Sequence, residues 1–400
     1  MLDVLVILLV VLGVLWSNRR IAQSFGPAHG PWYKRSLDRL FLYHSLFSVL
    51  FQLNPGDSTG YWHFNFQQLS VHSDKMSDYF DVGTSFLLWL DFIPARVMGL
   101  SLFTGNVLYG VCGFLGLRFL FLLFVPALKI NVKIMGLEVI PFLFYLPNLN
   151  FWTGGIGKDT LSFFAIAWFM YGLVQYRRRI IQMALAVFLI YYIRPHMGLM
   201  ILLALAMAII FSRQMKPGYK LLFLGLAIGG FMAVYQRVAV FLMVRDLSVS
   251  SLKDLASDKA GLLATKTVGS AVDINSYSIP MRLFTYLFRP LFFDAHSFLM
   301  LMSSAENVVY LVITIIGCRS IRWRDFSSLP LWLKTGLLLF LAAMIVFANS
   351  LGNLGIIMRE KNMTMIYLLM GCIWAYSRRR SEAATVIQQG IQYDPLWHQS

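Results

Sequence analysis

Short polar segments interrupt an otherwise apolar sequence, and they combine charged residues with helix-breaking ones. The first is the run 54–63, in which a proline and a glycine precede Asp57, and Tyr61 and Trp62 follow it. Proline and glycine favour a turn there. A carboxylate on such a turn could act as a general base, and the aromatic rings could hold a sugar. The alternative is an aspartate that begins a turn or caps a helix, beside aromatic anchors at a bilayer edge.

The second segment, 148–160, contains Trp152, three glycines, and then Lys158 and Asp159. A glycine-rich turn that opens a helix presents free N–H groups and the positive end of the helix dipole to an anion. Lys158 would add a point charge. The segment is not a P-loop, since Trp152 replaces the first glycine and Asp159 follows the lysine. It predicts a phosphate or pyrophosphate site, unless its glycines serve close packing and Lys158 and Asp159 pair with each other.

Arginines near the ends of apolar runs form the third group. Arg194-Pro195-His196 joins a guanidinium, which can bind phosphate through two parallel hydrogen bonds, to an imidazole that titrates near neutral pH. Such an arginine can also simply extend towards lipid headgroups. Glu306, inside an apolar run, is a further candidate or a satisfied buried carboxylate. We predict Asp57, His196 and Arg194 as catalytic residues, Lys158, Arg194, Arg289 and Arg359 as phosphate ligands, and Tyr61, Trp62 and Trp152 as sugar-binding residues.

The composition indicates a membrane protein as the frame for these residues. Of 400 residues, 58% are hydrophobic and 13% are charged, about half the charged fraction of a soluble domain. The three cysteines suggest neither a disulfide framework nor a zinc site. The sequence indicates no cofactor, and a divalent metal is compatible with it but not indicated. We therefore expect an all-α bundle of transmembrane helices.

Apolar runs of about 17–25 residues, oriented by the basic residues in short loops, give a predicted topology of about eleven spans. The N-terminus lies outside and the C-terminus inside. Residues 1–380 form one transmembrane domain with exterior segments at 54–91, 149–159, 245–296 and 349–362, and 381–400 form a cytoplasmic tail. The predicted spans are Leu2–Trp16, Leu37–Leu53, Gly105–Leu128, Ile134–Leu149, Thr160–Gln175, Ile180–Ile193, Met197–Phe211, Leu221–Val240, Phe298–Gly317, Leu331–Ala348 and Met363–Tyr376.

The distribution of charge agrees with this topology. The formal net charge is +15, and the whole excess falls on loops predicted to lie inside. A basic balance can indicate nucleic acid, but charge confined to loops beside apolar spans follows the positive-inside rule instead. We expect membrane lipids, and no nucleic acid, as partners. All the predicted site residues then share the exterior face.

Five short motifs stand out in the sequence: Leu146-Pro147-Asn148, Phe151-Trp152, Gly157-Lys158-Asp159, Ile193-Arg194-Pro195-His196, and Asn353-Leu354-Gly355 with Arg359. Together they resemble motifs of bacterial O-antigen and exopolysaccharide polymerases and, more distantly, of GT-C glycosyltransferases. The resemblance implies transfer of a glycan from a polyprenyl-phosphate or polyprenyl-pyrophosphate donor, at the periplasmic face of the inner membrane, with other polysaccharide-assembly membrane proteins as partners. Asp57 matches the exterior acidic residue of GT-C enzymes if the first span is an addition, but a paired acidic residue beside it is missing.

Other functions fit the same composition. A transporter or flippase of lipid-linked glycans predicts charges that line a path from both faces, with broken helices near the middle of the bilayer. A membrane acyltransferase would need a histidine within a span beside an acidic or amide partner, and His44 shows no such neighbour in sequence. A structural membrane subunit is the remaining alternative.

Overall fold

The computed structural model describes residues 1–65, 73–129, 133–134, 137–212, 216–241, 254–258, 260–261, 270–322 and 325–392. Residues 66–72 of the first predicted exterior segment lie outside this set. So do 245–253, 259 and 262–269 of the loop predicted at 245–296, and 393–400 of the predicted tail.

The described chain is almost entirely helical, as the apolar composition predicts. One pair of two-residue antiparallel strands, Lys133–Ile134 and Leu137–Glu138, is the exception in the part that the structure describes. The main helices are α1 (Leu2–Gln23), α2 (Gly26–Phe51), α3 (Ser58–Trp62), α4 (Thr84–Asp91), α5 (Leu102–Phe124), α6 (Pro147–Trp152), α7 (Lys158–Val174), α8 (Ile180–Ile193), α9 (Pro195–Ile210), α10 (Pro217–Phe241), α11 (Ile279–Phe288), α12 (Phe298–Ser320), α13 (Leu331–Ser350) and α14 (Leu354–Gln392).

Four helices are long and apolar enough to cross a membrane, since the hydrocarbon layer needs about 20 residues. They are Leu2–Gln23, Leu102–Ala127, Phe298–Ser320 and Leu331–Ser350. Three shorter apolar helices, Ile180–Ile193, Pro195–Ile210 and Pro217–Met232, fall below that length. The described residues thus give four candidate spans where the sequence predicts about eleven, and the full topology stays a prediction.

The predicted fourth span, Ile134–Leu149, is broken in the structure, as the prolines at 141 and 147 predict. The segment contains the end of the first strand, the second strand, a short helix at Val139–Phe142 and a 3-10 turn. Ile140 is extended, with φ −104° and ψ 117°, because a residue before proline is driven from the helical region. Pro147 then starts α6. Helix α14 continues without a break through Gln392, into the predicted tail.

The packing of the last helices defines two ends of the bundle. On the parallel helices α12 and α14, Asn307 contacts Lys361 and the Arg319 carbonyl accepts a hydrogen bond from Arg379. Arg319, Arg322, Arg378, Arg379 and Arg380 lie together at what we call the arginine-rich end. The opposite end, where α14 begins, is the site end.

Helix α5 joins the same two ends. Near its start, Asn106 accepts a hydrogen bond from the backbone N–H of Ile156 at 3.0 Å, close to the turn that opens α7. Beyond its end, the backbone N–H of Lys129 donates to Ser377 at 3.2 Å. Each of these contacts joins segments predicted to lie on one face of the membrane.

Candidate functional site

Five charged side chains of alternating sign meet at the site end, and we call them the ion-pair chain: Glu360, Arg194, Asp159, Arg359 and Asp57. The Arg194 guanidinium donates to both Glu360 oxygens, at 2.7 and 2.6 Å, and also to Asp159. Arg359 donates to the second Asp159 oxygen and lies 3.6 Å from Asp57. One carboxylate, Asp159, therefore joins two arginines from distant parts of the sequence.

Helix ends hold these side chains in place. Asp57 immediately precedes α3, and Asp159 lies in the first turn of α7. Arg194 lies between α8 and α9, where Pro195 begins the next helix. Arg359 and Glu360 lie near the start of α14. Asp159 is well placed electrostatically, because a carboxylate in the first turn of a helix meets the positive end of its dipole.

The ion-pair chain runs from a buried end to an exposed one. The side chains of Asp159 and Arg194 are 7% and 9% exposed, whereas Arg359 is 26% and Asp57 is 52% exposed. An ion pair shielded from water is strongly destabilised when one partner is removed, whereas an exposed pair contributes little. The buried pairs of Arg194 with Glu360 and Asp159 therefore hold these side chains in fixed positions. Arg359 can release Asp57 and bind another ligand instead.

The two carboxylates determine the charge state of Arg194. Burial alone would lower the pKa of its guanidinium, but Glu360 and Asp159 outweigh that effect and raise the pKa. Arg194 is thus a permanent cation whose terminal nitrogens are already bound to Glu360 and Asp159. The role of Arg194 as a phosphate ligand stays a prediction, and its Nε–H has no hydrogen-bond partner among the residues that the structure describes.

Lys158 does not pair with Asp159, contrary to the alternative interpretation of the glycine-rich turn. Its ammonium donates to the Thr84 hydroxyl at 2.8 Å, at the start of α4. Lys158 precedes the apolar body of α7, in the predicted exterior segment. Burial, followed by the neighbouring charges of Arg194 and Arg359, lowers the pKa of Lys158 to about 8. It is a cation near neutral pH that loses its proton in mildly basic solution.

The three predicted sugar-binding rings differ in their surroundings. Trp152 is half-buried, and the Arg359 guanidinium lies 5.6 Å from its ring centroid. Trp62 is 3% exposed, and its indole N–H donates to the Leu100 carbonyl at 2.9 Å. Its ring faces pack inside the protein, so the prediction that Trp62 stacks on a sugar does not fit this structure. Trp152 is the ring placed to meet a ligand.

Tyr61 belongs to the site by its electrostatics. Its side chain is buried. Burial, followed by the nearby charge of Asp57, raises the pKa of the Tyr61 hydroxyl to about 12. The hydroxyl therefore keeps its proton at neutral pH and can donate a hydrogen bond. A buried ring does not offer a face to a sugar, so the structure favours this polar role over stacking.

Asp57 does not behave as a helix cap. It occupies the position before α3, but its side chain makes no capping hydrogen bond there. The turn is held instead by the Ser58 hydroxyl, which donates to the Pro55 carbonyl at 2.5 Å. The Asp57 carboxylate remains exposed beside Arg359, as a general base on the surface would be.

Arg289 forms its ion pair outside the ion-pair chain, and His196 packs against an aromatic ring. Arg289 binds Asp294 through two hydrogen bonds, at 3.0 and 2.6 Å, and donates to the Tyr277 hydroxyl. The ring of His196 packs edge-on against Phe347, with centroids 6.1 Å apart. The predicted set of four phosphate ligands therefore divides, with Lys158, Arg194 and Arg359 in one cluster and Arg289 paired elsewhere.

Glu306 is a satisfied buried carboxylate, which was the alternative to a functional role. It accepts hydrogen bonds from the Asn148 backbone N–H at 2.7 Å and from the Tyr310 hydroxyl. Nearby, the Lys361 ammonium donates to Asn307 at 2.6 Å and to the Arg289 carbonyl at 3.1 Å. These bonds fasten α6 and α14 to α12, directly behind the site.

The described residues contain no group of three His, Cys, Asp or Glu side chains that could hold a metal ion.

The sequence predicted Lys158, Arg194 and Arg359 as site residues. It did not predict that Asp159 and Glu360 bind the two arginines. The sequence feature that could have indicated these pairs is that acidic and basic residues both occur in segments predicted to lie on one face of the membrane.

No family model, curated protein or solved structure matches this chain.

Proposed function

We propose that this protein is a polymerase-type glycosyltransferase of a bacterial inner membrane. It transfers a glycan from a polyprenyl-phosphate or polyprenyl-pyrophosphate donor at the periplasmic face. The observation that supports the proposal is the ion-pair chain, whose members come from four distant segments and end in an exposed carboxylate. Charged groups so close to apolar helices are costly and are functional candidates by default. The resemblance of the motifs to polysaccharide polymerases supports the substrate class.

Lys158 and Arg359 would bind the donor phosphate. Arg359 lies at the more exposed end of the ion-pair chain, and Lys158 begins α7, whose N-terminus favours an anion. Arg194 would be a positioning residue that holds Asp159, and through it Arg359, in place. Trp152, beside Arg359, would contact the first sugar.

In the proposed reaction, an acceptor hydroxyl attacks the anomeric carbon of the donor sugar. The bond between that carbon and the phosphate oxygen breaks, and Asp57 takes the hydroxyl proton as general base. Lys158 and Arg359 stabilise the negative charge on the leaving phosphate. The donor phosphate would compete with Asp57 for Arg359, because their 3.6 Å contact is exposed. Donor binding would thus release the base.

The test is glycan transfer by the purified protein, reconstituted with a lipid-linked oligosaccharide. We expect Asp57→Asn to reduce kcat by a factor of about 10²–10⁴, the usual contribution of a general base. Asp81→Asn, at another exposed aspartate of the same predicted exterior segment, should leave kcat unchanged. Full transfer by Asp57→Asn would remove Asp57 from the mechanism.

A transporter or flippase of lipid-linked glycans is the second candidate. The observation in its favour is that Glu306 and Lys361 are buried behind the site, so charged groups extend inwards from the site end. The same proteoliposomes distinguish the two functions. Movement of the oligosaccharide across the bilayer without any transfer product would support the transporter and contradict the enzyme.

A further inference from the structure

A second cluster of arginines lies at the arginine-rich end, where a cavity of about 410 Å³ opens between α12 and α14. The two helices are in close contact beside it, because a Cβ on Gly317 would lie 2.2 Å from the Cys372 Cβ. The cavity is lined by Ile316, Arg319, Ser320, Tyr376, Arg379 and Arg380, and we call it the arginine cavity.

The three arginines of this cavity carry uncompensated positive charge. Among the described side chains, no carboxylate lies within 4 Å of Arg319, Arg379 or Arg380. Their neighbours differ, since Arg322 pairs with Glu382 at 3.1 Å, and Arg378 pairs with Glu382 and Asp325. The same end of the molecule thus contains neutralised arginines outside the cavity and free charge inside it.

Neutral groups orient the cavity arginines. Arg379 donates to the Arg319 carbonyl, and Arg380 donates to the Tyr376 hydroxyl at 3.1 Å. The first of these bonds also covers a carbonyl in the last turn of α12, where the negative end of the helix dipole would repel an anion. The remaining guanidinium N–H groups are available to an anionic ligand, and guanidinium groups suit phosphate oxygens.

The surroundings of the cavity favour a lipid as the source of that phosphate. Ile315 on α12 and Ile321 just after its end are next to lining residues of the cavity and are 44% and 53% exposed. Helix α12 is one of the four helices able to cross a membrane. Apolar surface beside a basic cavity at the end of such a helix matches an acyl chain below a charged headgroup. A soluble phosphate would have no use for that apolar surface.

We propose that the arginine cavity binds the phosphate headgroup of an anionic phospholipid from the leaflet on its side of the membrane. This site is separate from the ion-pair chain and does not depend on the proposed transferase activity. The lipid would hold the ends of α12 and α14 together, and these helices also carry Glu306, Arg359 and Glu360 towards the site end.

The experiment measures lipid retained by the purified full-length protein. The protein is exchanged into phosphatidylcholine containing a minor fraction of phosphatidylglycerol, and the bound lipid is measured by native mass spectrometry. We expect wild type to retain phosphatidylglycerol preferentially. Each arginine near a headgroup contributes roughly a fivefold change in binding, so Arg319→Gln/Arg380→Gln should reduce retention by about twentyfold. Arg322→Gln, at a neutralised arginine of the same end, is the matched control and should change retention less than twofold.

Three results would overturn the proposal. The first is equal retention by wild type and the double variant. The second is an equal loss with Arg322→Gln, which would indicate a diffuse surface charge effect. The third is release of the retained lipid by millimolar inorganic phosphate, which would assign the cavity to a soluble anion. Arg380→Gln alone tests the same site at an exposed side chain if the double variant does not fold.

Discussion

Three consecutive residues near the start of α14 bind three different partners. Arg359 binds Asp159, Glu360 binds Arg194, and Lys361 donates to Asn307. Successive residues of a helix point about 100° apart, so neighbours in sequence do not face each other. The same geometry separates Lys158 from Asp159. A charged run read as one unit in the sequence therefore serves several sites, and its partners could not be predicted without the helix positions.

The lowered pKa of Lys158 gives a pH prediction. Lys158 has a pKa of about 8 in the folded protein, against 10.5 for a free lysine. As pH rises through about 8, the ammonium loses its charge, and kcat/KM for a phosphate-linked donor should fall. Lys158→Arg should remove this fall, because arginine stays protonated. The check is the pH profile of kcat/KM for both proteins between pH 6 and pH 9.5.

The same lowered pKa of Lys158 predicts that the stability of the protein rises with pH, whereas kcat/KM falls. The folded state disfavours the charged form of Lys158, and between about pH 8 and 10.5 the unfolded chain binds more protons at this position. Lys158 therefore contributes an increase in the free energy of unfolding as pH rises across that range.

The kcat/KM prediction is contradicted if the profile falls equally in wild type and in Lys158→Arg. That result would show that a group other than Lys158 causes the fall.

At the scale of elements, the apolar runs predicted where most helices lie but not how long each would be. Helices α1, α5, α12 and α13 reach spanning length, whereas the segment with Pro141 and Pro147 breaks into short pieces. Hydropathy alone counts apolar residues, but the two prolines predicted this break, because proline removes a backbone donor and restricts the residue before it. The break has a structural use, because it allows α6 and the glycine-rich turn to approach α5.

A substitution at Gly113 of α5 tests whether the glycine-rich turn must lie close to α5. A Cβ at this position would lie 1.9 Å from the Thr153 carbonyl oxygen, in the turn between α6 and α7. Backbone must then move, and overpacking typically costs about 1–3 kcal/mol. Gly113→Ala should lower the thermal midpoint of unfolding in detergent and impair transfer, because the same turn leads to Lys158.

Gly13→Ala is the matched control on α1, where a Cβ would meet nothing within 4 Å. Alanine in place of glycine within an exposed helix stabilises it by roughly 0.5–1 kcal/mol. The thermal midpoint of Gly13→Ala should stay equal or rise. A normal midpoint and normal transfer for Gly113→Ala would mean that the turn does not depend on this contact.

At the scale of the molecule, the two ends differ in how their arginines are used. At the site end, Arg194 and Arg359 are bound into alternating ion pairs with carboxylates. At the arginine-rich end, Arg319, Arg379 and Arg380 line a cavity, and none of them forms an ion pair with a carboxylate that the structure describes. The basic residues of the loops predicted which segments lie at the same end of the bundle, because the positive-inside rule depends on the charge of whole loops. They did not predict these local contacts, which depend on where each helix ends.

The central claim is that the ion-pair chain faces the exterior and the arginine-rich end faces the cytoplasm. Its most direct test uses Asn54→Cys, near Asp57, and Arg380→Cys, both at exposed positions, in a chain whose three native cysteines are replaced by serine. A membrane-impermeant maleimide is added to intact cells made permeable only in the outer membrane. The account predicts labelling at position 54 in these cells, and at position 380 only after the inner membrane is disrupted. Labelling at 380 but not at 54 in intact cells would contradict it.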